Sequence, residues 1–276
     1  MTAFLEEMAA GSRERVRLAK RACSEAALES QARSVRAPSR LQLDASGFDL
    51  IAELKLRSPA AGPLSTHGDN VEQRVAAYAR AGAAAVSVLT EPSRFDGALA
   101  HLKSAARALE PLAVPAMRKD FLVDPYQVLE ARAAGAGGVL VILRLLPREG
   151  ITALLDCARA QGLFVLLEAF DADDIAFMHE LIAAHRGSNQ LLAGVNCRDL
   201  ATLEVVPERL IELAPHLPMT VPRVAESGVI SVADAGRVAA AGYTVALVGS
   251  ALMQGRDPGA LAGALLAAGR AARGAH

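Results

Sequence analysis

The sequence predicts an α/β fold, a (β/α)8 TIM barrel preceded by an N-terminal helical extension. Short apolar runs, typical of parallel strands buried on both faces, recur at intervals of roughly 25 to 35 residues, the length of one βα unit. Amphipathic helical patterns separate these runs, and a Gly-containing stop or a Pro follows each of them. A doubly wound sheet is the alternative, but no Gly-x-Gly-x-x-Gly motif follows the first predicted strand. We predict a single domain over residues 1–276, of which roughly 1–46 form the extension.

The individual elements follow from local patterns in chain order. Residues 3–34 carry apolar positions at helical spacing, and Gly11-Ser12 predicts a break with Ser12 as the N-cap of a second helix. The predicted strands are Leu50–Leu54, Ala84–Leu89, Ala113–Met117, Gly138–Leu143, Phe164–Leu167, Leu192–Val195, Thr220–Val224 and Val245–Val248. The predicted helices between and after them are Val71–Ala81, Ala98–Leu109, Tyr126–Ala134, Gly150–Ala160, Asp173–His185, Pro207–Leu213, Val232–Ala241 and Pro258–Ala272.

Composition and charge argue against several classes of function. The chain is 52% hydrophobic with a formal net charge of -1, which allows a large core and argues against a nucleic-acid partner. The longest apolar run, Gly137–Leu146, is interrupted by Arg144 and is too short to span a membrane. The acidic N-terminus differs from a signal peptide. Cys23, Cys157 and Cys197 are scattered without zinc-site spacing, which predicts reduced thiols in the cytoplasm and no metal.

Lysine is scarce in this chain. Of its 29 basic residues, all are arginines except Lys20, Lys55, Lys103 and Lys119. A partly desolvated lysine can release its proton near neutral pH, whereas arginine cannot. Lys55 and Lys119 fall at predicted strand ends, where proton transfer is useful, while Lys20 and Lys103 lie on solvated helical patterns and are interpreted as incidental.

Polar residues stand at the carboxyl end of nearly every predicted strand, the end at which TIM barrels place their active sites. In chain order these are Glu53 and Lys55, Thr90 and Glu91, Arg118 to Asp120, Arg144, Glu168, Asn196, Arg198 and Asp199, Glu226 and Ser227, and Gly249 and Ser250. Loops are polar in general, and a structural ion pair of Glu53 with Lys55 is the alternative interpretation. Charges inside apolar runs are nevertheless costly to bury unless they are paired or functional. This pattern predicts general acid–base chemistry by lysines and carboxylates.

Two further features point to the kind of substrate. Ser227-Gly228 and Gly249-Ser250 follow the last two predicted strands, where barrels commonly bind phosphate through backbone N–H groups. Either pair alone is more often a plain turn. Phe95, Phe121 and Leu200 flank the strand ends and are expected to wall an aromatic or apolar part of the substrate, although each is individually a common core residue. We expect a small phosphorylated substrate and no cofactor.

Several motifs occur in the order of the predicted strands. They are Ile51-Ala-Glu-Leu-Lys-Leu-Arg-Ser-Pro, Ser87-Val-Leu-Thr-Glu, Phe95-Asp-Gly, Arg118-Lys-Asp-Phe, Leu166-Leu-Glu, Gly194-Val-Asn-Cys-Arg-Asp-Leu, Ala225-Glu-Ser-Gly and Leu247-Val-Gly-Ser. The chain resembles the indole-3-glycerol-phosphate synthase family along its whole length. The resemblance implies a (β/α)8 barrel of tryptophan biosynthesis, a carboxy-lyase. Its reaction converts 1-(2-carboxyphenylamino)-1-deoxyribulose 5-phosphate to indole-3-glycerol phosphate, carbon dioxide and water.

The resemblance also implies roles for individual residues. Lys119 matches the general acid of ring closure, Glu168 a residue of base chemistry, and Glu53 with Lys55 a pair acting in dehydration. Asn196 and Glu226 match positions that orient the substrate. The matching substrate and phosphate contacts are Ser58, Arg198, Ser227, Gly228, Gly249 and Ser250.

Four residues depart from the family pattern. Leu56 stands where a basic residue is usual, Ala60 and Phe170 where polar residues are common, and Cys197 where Asn or Ser is usual. These departures leave open a duplicated copy that acts on a modified anthranilate ring. A sugar-phosphate isomerase, a lysine Schiff-base aldolase and a non-catalytic barrel that serves as a partner subunit are the rival hypotheses. We expect a monomer or a weak homodimer.

Overall fold

Eight parallel strands close into a barrel in the computed structural model, which describes residues 2–44, 47–59, 62–64, 70–187, 190–255 and 257–274. In chain order the strands are β1 (Asp49–Leu54), β2 (Arg57–Ser58), β3 (Gly62–Pro63), β4 (Ala85–Leu89), β5 (Ala116–Lys119), β6 (Gly138–Ile142), β7 (Phe164–Ala169), β8 (Leu191–Asn196), β9 (Arg223–Glu226) and β10 (Val245–Val248). β2 and β3 pair as a short antiparallel ribbon. The other strands pair in chain order, and β1 pairs with both β4 and β10. The predicted barrel fold is confirmed.

Helices precede and surround the barrel. They are α1 (Ala3–Ala22), α2 (Glu25–Ser34), α3 (Val71–Arg80), α4 (Pro92–Phe95), α5 (Leu99–Leu109), α6 (Pro125–Ala133), α7 (Arg148–Ala160), α8 (Ala172–Ala184), α9 (Glu208–Leu213), α10 (Val232–Ala240), α11 (Ser250–Gln254) and α12 (Pro258–Arg273). The first two belong to the N-terminal extension. In the part of the chain that the structure describes, no helix is both long and apolar enough to cross a membrane.

Side chains alternate between the inside and the outside of the barrel wall. In β1, Leu50, Ala52 and Leu54 pack against the surrounding helices, whereas Ile51 belongs to a separate apolar cluster inside the barrel. Successive side chains of a strand point to opposite faces, so Glu53 shares the inner face with Ile51. The same two-residue spacing places Lys119 above Met117, Glu168 above Leu166 and Glu226 above Val224, and Asn196 lies on the same face as Leu192, four residues before it. The barrel thus directs these polar groups toward its carboxyl-end opening.

Two predicted strands begin too early. The predicted strand Ala113–Met117 is observed as β5 and the predicted strand Thr220–Val224 as β9, each displaced by about three residues toward the carboxyl end. Ala113 has a φ of 56° and ends the turn before β5, and a turn also precedes β9. Apolar character alone does not mark where a turn stops. As a result, Lys119 and Glu226 are the last residues of their strands and lie within the barrel wall.

The predicted helix break at Gly11-Ser12 is wrong, because α1 runs through both residues. The hydroxyl of Ser12 is buried and does not cap a helix. It donates to the Phe121 carbonyl at 2.5 Å and accepts from Nε2 of Gln127 at 2.8 Å. The break falls later, where Ser24 caps α2 and accepts from the Ala27 amide. The polar residue inside α1 is therefore a tertiary contact to the barrel.

Charged side chains also fasten α1 to the carboxyl end of the barrel. Arg15 lies 2.7 Å from Asp120 and 3.5 Å from Glu91. Lys20, which the sequence pattern marked as incidental, lies 2.8 Å from Asp124 at the start of α6. These contacts hold the extension across the loops that follow β4 and β5.

The buried hydroxyl of Ser12 gives a test of this attachment. In Ser12→Ala the buried Gln127 amide and the buried Phe121 carbonyl each lose a hydrogen-bond partner. The free energy of unfolding should fall by about 1–3 kcal/mol, the cost of leaving buried polar groups unsatisfied. Chemical denaturation measures it. Ser34→Ala, which removes an exposed serine hydroxyl of α2, is the control and should change stability by less than about 0.5 kcal/mol. Equal effects of the two substitutions would contradict the assignment.

Candidate active site

A cavity of about 400 Å³ opens at the carboxyl ends of the barrel strands. Side chains from the strand ends, from the loops that follow them and from the first turn of α1 line it. The predicted catalytic and binding residues all contribute to this lining: Glu53, Lys55, Ser58, Phe95, Lys119, Phe121, Glu168, Asn196, Arg198, Leu200, Glu226, Ser227, Gly228, Gly249 and Ser250. The structure therefore brings the whole set together, while the individual roles remain predictions.

Lys119 lies between two buried carboxylates at the base of the cavity. Its ammonium is 3.5 Å from Oε1 of Glu168 and 3.3 Å from Oε2 of Glu226. The side chain of Lys119 is 16% exposed, whereas those of the two glutamates are at most 2% exposed. Asn196 donates from Nδ2 to the same oxygen of Glu168 that faces Lys119. The amide thereby fixes the orientation of the carboxylate beside the ammonium.

The carboxylates shift the pKa of Lys119 in the direction opposite to the one that burial alone would cause. Burial disfavours the charge of Lys119, but the carboxylates of Glu168, Glu226 and Glu53 outweigh it and raise the pKa of Lys119. Burial, followed by the nearby charge of Glu168, raises the pKa of Glu226 to about 8. At neutral pH the base of the cavity thus combines a charged ammonium with a carboxyl group that holds its proton.

A second lysine–carboxylate pair lies beside the first. Nζ of Lys55, just beyond the end of β1, is 3.1 Å from Oε1 of Glu53. Within the described part of the chain, Oε2 of Glu53 and Oε1 of Glu226 are buried without a hydrogen-bond partner. Buried polar atoms of folded proteins almost always have a partner. Each of these oxygens belongs to a side chain that lines the cavity, which marks the base of the cavity as a candidate site of chemistry.

One side of the cavity is an apolar wall. The ring of Phe121 packs against Phe95 at 6.2 Å between centroids and edge-on against Phe4 at 5.9 Å. Leu140, Ile142, Leu200 and Phe170 complete this side. Such a surface suits a flat aromatic ring. Sequence reasoning missed Phe4, because an apolar position in an N-terminal helix gives no sign of the cavity that it reaches.

The opposite side offers backbone amides. Ser227 and Gly228 both have left-handed backbones, with φ of 64° and 70°. A Cβ at Gly228 would lie 2.9 Å from Sγ of Cys197, so this turn has no room for a larger residue. Gly249 precedes α11, and the first amides of a helix have no acceptor within that helix. These two turns together form a concave surface suited to an anion.

Several other polar residues at strand ends serve different contacts. The guanidinium of Arg144 pairs with Asp171 and Asp174 and lies 5.0 Å from the ring of Phe170, outside the lining. A separate buried network joins Arg118 and Thr90 to Asp120, at 3.0 Å and 2.7 Å. These groups support the walls of the cavity.

The four departures from the family pattern lie in different places. Leu56 is half-buried against the core between barrel and helices, outside the cavity lining, and Ala60 lies outside the described residues. Phe170 lines the cavity, and Cys197 is buried beneath Gly228. Burial raises the pKa of the Cys197 thiol to about 11, so it is inert at neutral pH.

Comparison with known proteins identifies the family. The family model described as Indole-3-glycerol phosphate synthase matches residues 5–265. The chain belongs to the indole-3-glycerol phosphate synthase family. An indole-3-glycerol phosphate synthase of Parafrankia sp. is 41% identical over 267 residues, which cover 96% of each chain. The synthase of Kineococcus radiotolerans is 42% identical over 226 residues, covering 81% of this chain and 77% of the relative.

Solved structures of other enzymes share the fold alone. The 3-hexulose-6-phosphate synthase from Salmonella typhimurium superimposes with a TM-score of 0.61 at 16% identity, over 80% of this chain and 98% of that one. The match to the synthase family model and to the synthase sequences thus confirms the resemblance inferred from the strand motifs. The similarity to the hexulose-phosphate synthase structure supports the barrel fold alone.

The raised pKa of Glu226 predicts a pH-dependent stability. Between the ordinary carboxyl value of 4.5 and about 8, the folded protein holds a proton that the unfolded chain releases, so the free energy of unfolding falls as pH rises. Glu226→Gln cannot titrate. Wild type should therefore lose stability relative to this variant by up to about 1.4 kcal/mol per pH unit within that window.

Urea unfolding at pH 5, 6.5 and 8 measures the difference. Glu180→Gln, which alters an exposed carboxylate paired with Arg148, is the control and should track wild type at every pH. A gap between wild type and Glu226→Gln that stays constant with pH would show that Glu226 keeps an ordinary pKa.

Proposed function

We propose that this chain converts 1-(2-carboxyphenylamino)-1-deoxyribulose 5-phosphate to indole-3-glycerol phosphate with loss of carbon dioxide and water, as a carboxy-lyase. The observation that carries the proposal is the position of Lys119 between Glu168 and Glu226, with an apolar wall on one side and two amide-rich turns on the other. The substrate has the same three parts in the same order: an aromatic ring, a ribulose chain and a phosphate.

The polarity of each part of the substrate determines where it binds in the cavity. The ring packs against the wall that contains Phe121 and Phe95, and the phosphate lies against the turns at Ser227-Gly228 and Gly249-Ser250. Arg198 lines the same cavity and is available to a substrate anion, as is Ser58. The ribulose carbonyl then lies above Lys119, close to the ring carbon that bears the carboxylate.

Ring closure requires a proton at the carbonyl oxygen. As the ring carbon attacks, negative charge develops on that oxygen, which is a far stronger base than an amine. Lys119 is kept charged by its carboxylate neighbours until this moment, and it then donates its proton to form a hydroxyl group. Carbon dioxide leaves with the carboxylate carbon, and its bonding electrons restore the aromatic ring.

Dehydration completes the indole. The hydroxyl group formed in the first step leaves as water when it receives a proton, and a proton is removed from the adjacent part of the new ring. Lys55 and Glu53, 3.1 Å apart, supply an acid and a base beside Lys119. Glu168 contributes base chemistry, and Asn196 and Glu226 hold the hydroxyl groups of the sugar chain in place. These steps use only side chains of the protein, with no cofactor.

The alternative of a modified anthranilate ring has less support. Phe170 occupies the ring side of the cavity and is 4% exposed, with its own ring held beneath Arg144. A bulky ring substituent would meet this side chain, so the unsubstituted ring fits better. We further propose a cytoplasmic enzyme, monomeric or weakly dimeric, without membrane or nucleic-acid partners. The free thiols of all three cysteines support the location.

Activity is tested by adding the carboxyphenylamino-deoxyribulose phosphate to purified protein and following indole fluorescence. Indole formation supports the proposal, and its absence at high enzyme concentration would exclude it. Borohydride with substrate present separates the aldolase alternative, because only a Schiff-base enzyme is trapped covalently.

Lys119→Arg tests the proton donor. The variant keeps the positive charge between the two glutamates, but the planar guanidinium is larger and presents a fixed fork of N–H groups, so it does not place one proton where the Lys119 ammonium does. We expect kcat to fall by roughly 10²–10⁴, with little change in KM. Lys103→Arg, on the exposed side of α5, is the matched control and should retain wild-type kcat. If Lys119→Arg keeps more than about a tenth of wild-type kcat, Lys55 becomes the next candidate for the acid.

Ser250→Asp tests the phosphate end. The added carboxylate faces the proposed position of the phosphate and repels it, so KM should rise at least about tenfold, with a smaller change in kcat. Thr152→Asp, which adds the same charge on α7, controls for net charge. An unchanged KM in Ser250→Asp would move the phosphate away from the start of α11.

A further inference from the structure

Two glycines face the barrel interior beside the strands that carry the catalytic carboxylates. Gly194 lies in β8 opposite Val224 of β9, and Glu226 follows two residues later in β9. Gly249 follows directly after Val248, which pairs with Ala52, so Gly249 stands beside Glu53. The same relation of glycine to neighbouring carboxylate therefore occurs at two places in the wall.

Neither glycine has the left-handed backbone that most often requires this residue. The positive φ values that explain Gly228 and other turn glycines are absent from Gly194 and Gly249, and Gly249 has a φ of -122°. Gly194 lies in a regular parallel strand, which accepts any side chain, whereas the φ of -122° and ψ of -72° of Gly249 lie outside the common regions. At Gly194 the reason for glycine must therefore lie in the space above Cα, and at Gly249 that space adds to the demand of the backbone.

A carboxylate is the nearest group in that space in each case, and at Gly194 Cδ1 of Leu166 also lies 2.9 Å from the built Cβ. A Cβ built on Gly194 would lie under 3.0 Å from Oε1 of Glu226, and one built on Gly249 would lie under 3.0 Å from Oε1 of Glu53. Real Cβ atoms essentially never come so close to another heavy atom. Cβ of Glu53 is itself only 3.2 Å from the same point, so the length of this side chain lies against Gly249.

The carboxylates of Glu226 and Glu53 have little space into which they could move. Glu226 is 1% exposed, and its other oxygen contacts Lys119 at 3.3 Å. Oε1 of Glu53, the atom above Gly249, contacts Lys55 at 3.1 Å. A methyl group at either glycine would push its carboxylate away from the wall and change the lysine contact by a large fraction of its length.

We propose that Gly194 and Gly249 are positioning residues of the reaction, each seating one catalytic carboxylate flat against the barrel wall at proton-transfer distance from its lysine. This inference rests on the function proposed above. It gives Gly249 a role separate from phosphate binding, so the substitution of Gly249 alone cannot report on the phosphate.

A double-mutant cycle tests the proposal. Gly194→Ala should lower kcat by roughly 10- to 100-fold while KM changes by less than about threefold, because the damage is to a catalytic group. In the Glu226→Ala background the displaced carboxylate is gone. There Gly194→Ala should change the residual kcat by less than about twofold, and part of the Tm lost in the single variant should be recovered, because only the contact with Cδ1 of Leu166 then remains.

A matched control separates position from stability. Gly138→Ala places a methyl group under 3.0 Å from the ring of Phe164, far from the carboxylates, in the same kind of buried strand. It should lower Tm without lowering kcat of the folded protein. Gly249→Ala, alone and with Glu53→Ala, repeats the cycle at the second site if Gly194→Ala fails to fold.

The outcomes are distinct. Coupling in both kcat and Tm supports the proposal. Additive effects in the Glu226→Ala background, wild-type kcat in Gly194→Ala, or an equal loss of kcat in Gly138→Ala would overturn it. A wild-type protein without synthase activity would refute the proposed function instead, and the Tm cycle would still show whether each glycine seats its carboxylate.

Discussion

Three carboxylates, those of Glu53, Glu168 and Glu226, lie at the mouth of the barrel with side-chain exposures of 4% or less. So many buried negative charges would oppose folding unless cations or protons neutralise them. Lys119 lies against two of them and Lys55 against the third, so two positive charges face three carboxyl groups. The raised pKa of Glu226 reduces the excess of negative charge. The requirement for charge balance therefore keeps lysines beside buried carboxylates, which is the arrangement that acid–base chemistry needs.

Buried ion pairs next to this charge cluster restrict its movement. The β5 end that carries Lys119 continues into Asp120, whose pKa is lowered because Arg118 and Arg15 outweigh its burial. Removing one partner from a buried ion pair typically costs about 3–5 kcal/mol, so this network resists rearrangement. Arg15 belongs to α1, which also brings Phe4 to the apolar wall. The N-terminal extension is thus continuous with the site both electrostatically and through packing.

The barrel and its site are both predictable from sequence because each depends on simple periodicity. Spacing of apolar runs predicts the strands, and charges within those runs, such as Glu168, predict the inner face of their carboxyl ends. What sequence could not predict depends on contacts between distant segments. Ser12 resembles a helix cap until the carbonyl of Phe121 is known to lie beside it. Arg144 stands at a strand end like the site residues, yet Asp171 and Asp174 turn it away from the cavity.

The apolar wall and the opposite side with its backbone amides also determine the orientation in which the proposed substrate binds. A phosphate dianion placed against Phe121 and Phe95 would lose its hydration without gaining hydrogen bonds, a loss of several kcal/mol at least. The aromatic ring gains little from the amides at Ser227 and Ser250, but it gains buried area at the apolar wall. Binding in the reverse direction is therefore disfavoured before any catalytic group acts. Because the substrate is oriented by solvation, its reacting carbonyl lies at Lys119, and the buried carboxylates then need only keep Lys119 protonated until the bond forms.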